Sequence, residues 1–460
     1  MCLNHQTHDM THTSAAVDVQ RLIDDSLLTV WQWLVFGMCF VIVLFDGFDT
    51  AAIGYIAPSL IQEWGVTKPM LGSVLTAALF GLAAGALAAG PIADRFGRRR
   101  VLVTAVLVFG LASLGSAFSI GLSQLSALRF VTGLGLGAAM PNAVTLVSEY
   151  SPSRRRATLT NLMFCGFPLG AALGGFLAAR MIPQWGWQSV LMLGGAVPLL
   201  LVMALLAWLP ESVRFLVTRR CDIEKIRAAL ARIAGTRVNQ FDCFTLSETH
   251  VSTYDRGGLA LILARPYRLG TLMLWVAYFM GLVIFYALVN WMPLLFKEAG
   301  LAPKTATLIS ALFPLGGIGA VALGWLMDKV EPNRLLAVGF LLTSLAVWSI
   351  GQLVGQIGAL IVGVFVAGLL MNAAQSSLPS LAAGFYPTDG RATGIAWMMG
   401  IGRFGGIAGS FMVARLSAQE ISIGKVFALV ALPALIAALA LWTKRNSDKY
   451  TQKAGEALAH

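Results

Sequence analysis

The sequence predicts an all-α integral membrane protein of twelve transmembrane helices, arranged as two halves of six. Three observations carry this. Twelve apolar runs each reach the length of about 20 residues that a helix needs to cross a hydrocarbon core. Only 12% of the 460 residues are charged and 57% are hydrophobic, with a mean hydropathy of +0.76; a soluble protein averages about 25% charged. The basic residues are also sorted by side: 25 of the 33 Lys and Arg fall in alternate loops and the two ends, and the opposite loops hold Lys68, Lys297 and Lys304.

In chain order, residues 1–30 read as a cytoplasmic N-terminal tail. It holds one basic residue, Arg21, and no apolar core of the shape a secretory signal has. Arg21-Leu-Ile-Asp-Asp-Ser fits a short amphipathic helix. His5, His8 and His12 read as polar tail rather than a metal site. Residues 31–209 form an N-terminal six-helix bundle, with spans near 31–56, 70–92, 101–119, 124–147, 158–180 and 187–209. Residues 210–268 are a polar, basic cytoplasmic loop between the halves, too short and too charged for a signalling domain. Residues 269–443 form the C-terminal six-helix bundle, with spans near 269–295, 305–327, 335–353, 357–384, 392–414 and 422–443. Residues 444–460 are a cytoplasmic C-terminal tail.

The sorting of Lys and Arg places both termini in the cytoplasm. It also accounts for the net charge of +11 as topology, which argues against nucleic-acid binding. The five cysteines form no CxxC pair and the five histidines avoid the apolar runs. With no HExxH and no His in a span, neither a metal site, a cofactor nor an enzyme is expected, and proton chemistry in the bilayer falls to carboxylates. The halves repeat weakly. Gly85 to Gly90-Pro-Ile-Ala-Asp94 matches Gly319 to Gly324-Trp-Leu-Met-Asp328, and Tyr150-Ser-Pro-Ser-Arg-Arg-Arg156-Ala-Thr matches Tyr386-Pro-Thr-Asp-Gly-Arg391-Ala-Thr with one gap. Six-helix repeats around a midplane site are a common build for secondary transporters.

The most informative stretch is Leu44-Phe-Asp46-Gly-Phe-Asp49-Thr-Ala-Ala-Ile-Gly54 in the first span. A charge near the bilayer centre costs at least ~2.5 kcal/mol, so intramembrane acids are functional until shown otherwise. The i, i+3 spacing puts Asp46 and Asp49 on one helix face. Like charges that close in a dry medium favour taking up a proton. Both are candidate proton carriers; salt bridges to a neighbouring helix are the alternative.

Gly90-Pro-Ile-Ala-Asp94-Arg95-Phe-Gly97-Arg98-Arg99-Arg100 resembles the signature loop of the major facilitator superfamily, and Pro210-Glu211-Ser-Val-Arg214 is similar to another of its motifs. A narrower resemblance is to the aromatic acid:proton symporter family, closest to its 4-hydroxybenzoate/protocatechuate transporters. It rests on Asp46-Gly-Phe-Asp49-Thr-Ala-Ala, Leu128-Arg129-Phe-Val-Thr-Gly-Leu-Gly-Leu-Gly-Ala-Ala-Met-Pro141-Asn142, Met163-Phe164-Cys165-Gly166-Phe, Asn372-Ala-Ala-Gln375-Ser-Ser-Leu-Pro379 and Gly400-Ile-Gly402-Arg403-Phe-Gly-Gly, in five spans of both halves. The resemblance implies the major facilitator fold, a monomer, and proton-driven import of aromatic carboxylates through a bacterial inner membrane by alternating access. Benzoate, vanillate or gallate are alternative substrates, and a proton-coupled exporter shares the fold. The second-half loop Asp328-Lys-Val-Glu-Pro-Asn-Arg334 departs from the signature.

An aromatic acid brings a carboxylate and a flat apolar ring. Arg403, inside the eleventh span, offers a bidentate fork for the carboxylate, or a structural partner for Asp46 or Asp49. Arg129 can pair with an aspartate of the first span, guide the anion inward, or snorkel outward. Asn142, Asn290, Asn372 and Gln375 are candidate polar contacts, and helix-to-helix hydrogen bonds are their alternative. Phe164 and Tyr286 are candidate ring walls, with Tyr278, Phe285, Trp291, Phe313 and Trp397 in the same class. Asp94, Arg95, Arg98, Arg99, Glu149, Arg156, Asp328 and Arg391 form a candidate cytoplasmic gate that latches the halves and releases as they rock.

Overall fold

A computed structural model of the chain describes residues 16–219, 221–235, 238, 241, 243–245, 258–327, 329–386, 388–419 and 421–458. Among them eleven helices are long and apolar enough to cross a membrane: Val30–Trp64, Lys68–Ala89, Arg98–Ser116, Leu122–Glu149, Thr158–Trp185, Gln188–Trp208, Tyr267–Glu298, Pro303–Met327, Pro332–Leu353, Ile357–Phe385 and Ile423–Lys444. The helix Thr388–Ala418, 31 residues long, completes the twelve. Its glycines and Arg403 lower its hydropathy, so length marks it where apolarity does not. In chain order these are the first to twelfth spans, with Thr388–Ala418 the eleventh.

The first span is longer than its apolar run suggests. Thr29 starts it with a capping box, accepting from Gln32 N while Gln32 takes the Thr29 N–H at 2.8 Å. It runs through Pro58 and stops only at Gly65, whose φ of 62° suits a residue without Cβ. Two spans are broken. The fifth divides at Cys165, between Arg156–Phe164 and Gly166–Trp185. The eighth passes through a 3-10 turn at Gly316–Ile318. The breaks meet across the two halves, where a Cβ on Gly317 would lie 2.6 Å from Pro168. Irregular backbone at membrane depth is tolerated where protein covers it.

The first and fifth spans approach backbone to backbone. A Cβ on Gly47 would stand 1.9 Å from the Phe167 carbonyl oxygen, and one on Gly170 would stand 1.7 Å from that of Leu44. This contact sets where the face bearing Asp46 and Asp49 points.

The described part of the segment between the halves holds more secondary structure than its polarity suggests. It contains helices Val213–Thr218 and Ile223–Ala234. The second is amphipathic and buries Ile226, Leu230 and Ile233. Strand Cys243–Thr245 pairs in parallel with Ala16–Asp18, Ala16 opposite Cys243. The helix expected near Arg21 is Val19–Asp24. Asp24 takes hydrogen bonds from Ser153 N at 2.6 Å and Ser153 Oγ at 2.9 Å, and Arg214 donates to Gln20 at 3.2 Å. Composition alone hid this because each element buries its apolar face only against the others.

At the face away from the basic loops, two lysines tie the halves together. Lys68 on the second span meets Glu298 of the seventh at 2.8 Å and donates to the Ser417 carbonyl of the eleventh at 3.3 Å. Lys297 donates to the Pro58 carbonyl at 3.1 Å and to Gln62 Oε1 at 3.4 Å on the first span. These are two of the three lysines that the loop charges set apart on that side.

Exposed ion pairs contribute about 0–1 kcal/mol, so this tie biases a conformational balance rather than holding the fold. Glu298→Gln is expected to raise labelling of a cysteine placed at Ile53 by an impermeant maleimide, by up to about fivefold (~1 kcal/mol). Lys68→Gln should match it, and the double substitution should add little. Unchanged labelling in both single variants would count against the tie.

Candidate functional site

Asp46 and Asp49 share a face of the first span but have unlike surroundings. Asp49 is wholly engaged. Arg129 of the fourth span binds it bidentately, Nη1 to Oδ1 at 2.8 Å and Nη2 to Oδ2 at 2.5 Å. Nη2 also donates to the Asp49 carbonyl at 3.2 Å. Ser113 of the third span donates to Oδ1 at 3.0 Å. Both charged side chains are 1% exposed. Of the three fates open to Arg129, the structure has it paired with the first span. The cavity beside this pair, reaching to Tyr286 and Asn290, measures about 20 Å³, room for about one water and not a ring.

Asp46, 3% exposed, is less well matched. The Thr50 side chain one turn on hydrogen-bonds its carboxylate, and Arg403 is the cation that acts on it. Its Oδ1 is buried with no hydrogen-bond partner. A buried charge with an empty acceptor is costly, and protonation is one way to relieve it.

Arg403 is positioned by glycine. A Cβ on Gly402 would lie 2.2 Å from the ring of Tyr278, and one on Gly406 would lie 2.6 Å from that of Tyr286. Two tyrosine rings of the seventh span therefore lie against the eleventh helix at Gly402 and Gly406, near Arg403 in the chain, and both feel its charge. Tyr286 also feels Asp46. Beyond it Phe285 packs against Tyr286 at 5.4 Å, Phe313 at 6.2 Å and, across the halves, Phe167 at 5.9 Å between ring centroids.

The amides differ in use. Asn142 donates to the Ala138 carbonyl of its own helix at 2.8 Å. Asn290 donates to Ser410 at 2.9 Å. Asn372 donates to the Phe313 and Gly368 carbonyls at 3.1 and 2.8 Å. Gln375 donates to the Tyr278 carbonyl at 3.3 Å. Phe164 is half-buried at the break in the fifth span. Asp46, Arg403, Tyr278, Tyr286 and Gln375 thus form one chain of neighbours across the halves, with Asp49 and Arg129 on its flank. Sequence reasoning missed Thr50, Ser113 and Phe167. Thr50 lies inside the aspartate motif, one turn from Asp46, and Phe167 ends the Met163–Phe167 motif, both usable signals; Ser113 stands in a plain apolar run.

At the basic face, the side chains of Asp94, Arg156, Asp328 and Arg391 lie outside the described residues. The others bind within the first half. Arg98 Nε faces Glu149 at 3.5 Å, and Ser212 donates to Glu149. Arg99 N donates to Glu211 at 3.1 Å and its guanidinium to the Leu206 carbonyl at 2.6 Å. Arg95 lies over the Phe96 ring at 5.3 Å.

The sequence model of the Major Facilitator Superfamily matches residues 39–410 and again 274–459. The chain is 48% identical over 430 residues to the 4-hydroxybenzoate transporter PcaK of Pseudomonas putida, covering 93% of this chain and 96% of that one. It is 46% identical over 428 residues to the gallate transporter of Pseudomonas putida, covering 93% and 95%. Among solved structures, the xylose transporter XylE from E. coli in a partially occluded inward open conformation superposes with a TM-score of 0.71, at 19% identity, over 90% of this chain and 98% of that one.

Removing one partner of a buried ion pair costs about 3–5 kcal/mol because the other charge stays buried. Arg129→Gln is therefore expected to lower the thermal unfolding temperature of the detergent-purified protein sharply, and Asp49→Asn likewise. The double variant should recover much of the loss. Additive losses in the double variant would show that the two residues act apart.

Proposed function

We propose that this chain, which belongs to the Major Facilitator Superfamily and is one of its transporters, imports aromatic carboxylates by proton symport, with 4-hydroxybenzoate or protocatechuate as substrate. The relatives named for 4-hydroxybenzoate and gallate support the substrate class. The single observation that carries the mechanism is Asp46, whose carboxylate is only partly satisfied and on which Arg403 acts, beside the two tyrosine rings packed on Gly402 and Gly406.

The coupling follows from charge counting. In the empty site Asp46 and Arg403 compensate one another. A proton on Asp46 frees Arg403, and the substrate carboxylate takes the place of the aspartate on the guanidinium as a charge-assisted pair. The site is neutral empty and neutral when it holds proton and anion together. A proton alone leaves an uncompensated cation, and an anion alone leaves an uncompensated carboxylate; both are expensive in a dry core. Rocking of the halves is thus cheap only for the empty and doubly loaded forms. One proton then accompanies each monoanion at this pair. Tyr278 and Tyr286 supply ring walls, offset or edge-on to the substrate ring. Asp49 and Arg129 stay paired throughout and hold the first span in register.

Both termini face the cytoplasm of a bacterial cell and the membrane is the inner one, in keeping with the sorted basic loops. The tie through Lys68 and Lys297 then closes the periplasmic side. The gate of Asp94, Arg95, Arg98, Arg99, Glu149, Arg156, Asp328 and Arg391 belongs to the opposite state, when the cytoplasmic side closes. A monomer suffices, since every group invoked lies in one chain.

Uptake of labelled 4-hydroxybenzoate into proteoliposomes tests this. Wild-type protein should accumulate it only with an inward proton gradient, and an uncoupler should abolish the accumulation. Asp46→Asn should exchange internal for external substrate yet fail to accumulate it, because its site no longer needs the proton. Arg403→Gln should lose substrate affinity by about tenfold or more, the loss of a charged hydrogen bond. Full accumulation by Asp46→Asn would rule out Asp46 as the proton carrier, and extrusion in place of uptake would identify an exporter.

A further inference from the structure

We infer that Gln375 reads a para hydroxyl on the substrate ring: its Oε1 accepts the hydrogen bond of a phenolic hydroxyl whose carboxylate lies on Arg403. This rests on the aromatic-acid reading above and adds to it the part of the ring that is recognised and the atom that recognises it.

Gln375 sits on the tenth span at 8% exposure. Its Nε2 donates to the Tyr278 carbonyl at 3.3 Å. That bond fixes which way round the amide lies, because flipping it would set two acceptors against each other. Oε1 is then left buried without a hydrogen-bond partner. Buried acceptors are seldom left so, and each one calls for a reason. Asn142, Asn290 and Asn372, the other candidate amides of the site, do not show a buried acceptor of this kind.

Two features aim this acceptor at a ring substituent. Oε1 occupies the notch made by Gly281, where a Cβ would come within 1.8 Å of it. Gly281 is one turn from Tyr278 on the same face of the seventh span, so the notch opens beside the tyrosine that walls the site. The Tyr278 ring, moreover, lies against Gly402, the residue before Arg403, while its backbone carbonyl holds the Gln375 amide. A phenol ring therefore already lies between the helix that carries the cation and the amide. A para-hydroxylated benzoate has the same ring and the same hydroxyl, with a carboxylate at the far end to meet Arg403. Bound along Tyr278, it places its O–H donor at the Gln375 oxygen, which lacks one. Benzoate binds the same cation and leaves the amide as unsatisfied as before. A site built to bond a hydroxyl discriminates against the analogue without it.

The test is competition for labelled 4-hydroxybenzoate uptake in proteoliposomes by 4-hydroxybenzoate, 4-aminobenzoate, 4-methoxybenzoate and benzoate. The first two carry a para donor, the third an acceptor of similar size and the fourth nothing. Wild-type protein should prefer the two donors by about tenfold, the value of one well-made hydrogen bond. In Gln375→Leu the affinity for 4-hydroxybenzoate should fall to that for benzoate. Gly281→Ala, which crowds Oε1 out of its notch, should erode the same preference. A wild-type protein indifferent to the para donor overturns the inference without any variant, as does a Gln375→Leu protein that keeps the preference or weakens all four ligands alike. Failure of the wild type to take up any aromatic acid is a different result and overturns the function instead.

Discussion

Hydrocarbon does not solvate charge, and the interior of this protein is arranged around that constraint. Four charged side chains lie deep in the spans, and they are met by opposite charges on other helices. Asp49 and Arg129 make a bidentate pair that, with Ser113, fills the Asp49 carboxylate and leaves Arg129 Nε without a partner. Asp46 and Arg403 act on one another without direct bonding, and a carboxylate oxygen is left over. The first pair lies within the first half and joins its helices. The second joins the halves. A transporter needs this asymmetry: one compensation that never opens, and one that opens when a proton and an anion arrive together.

Close approach is what makes the second pair usable. Arginine in a helix packed by large side chains would be buried under them or pushed to lipid. The eleventh span instead presents Gly402 and Gly406, and the seventh lays Tyr278 and Tyr286 into the space. The result is a cation on a helix whose glycines are covered by two aromatic rings, a surrounding suited to a flat carboxylic acid. The same device at Gly47 and Gly170 draws the fifth span onto the first and brings Phe167 to Phe285 across the halves. Aromatic packing therefore crosses the seam close to where the substrate ring is proposed to lie.

The two faces of the protein are held differently. Away from the basic loops the halves are bridged by Lys68 and Lys297. At the basic face the described arginines bind the first half: Arg98 to Glu149, Arg99 to Glu211. The elements Ala16–Asp18, Val19–Asp24, Ile223–Ala234 and Cys243–Thr245 add to that half as well. The first half thus carries a stiffened base on the side where the halves are not bridged by these contacts.

By itself the sequence determined the class of molecule and the inventory of its site. Hydropathy and the sorting of Lys and Arg are summed over many residues, so single errors cancel, and the twelve spans follow from them. Intramembrane charges are so costly that each of Asp46, Asp49, Arg129 and Arg403 announced itself. What only the tertiary structure decided was who meets whom. Asp46 and Asp49 are three residues apart and alike as text; one is saturated by Arg129 and Ser113 and the other is left to Arg403, because neighbouring helices from distant parts of the chain differ at those two points. The breaks at Cys165 and Gly316, the role of Phe167 and the fold of the inter-half segment were hidden for the same reason. Each depends on a contact between residues far apart in the chain, and local pattern carries no record of such a contact.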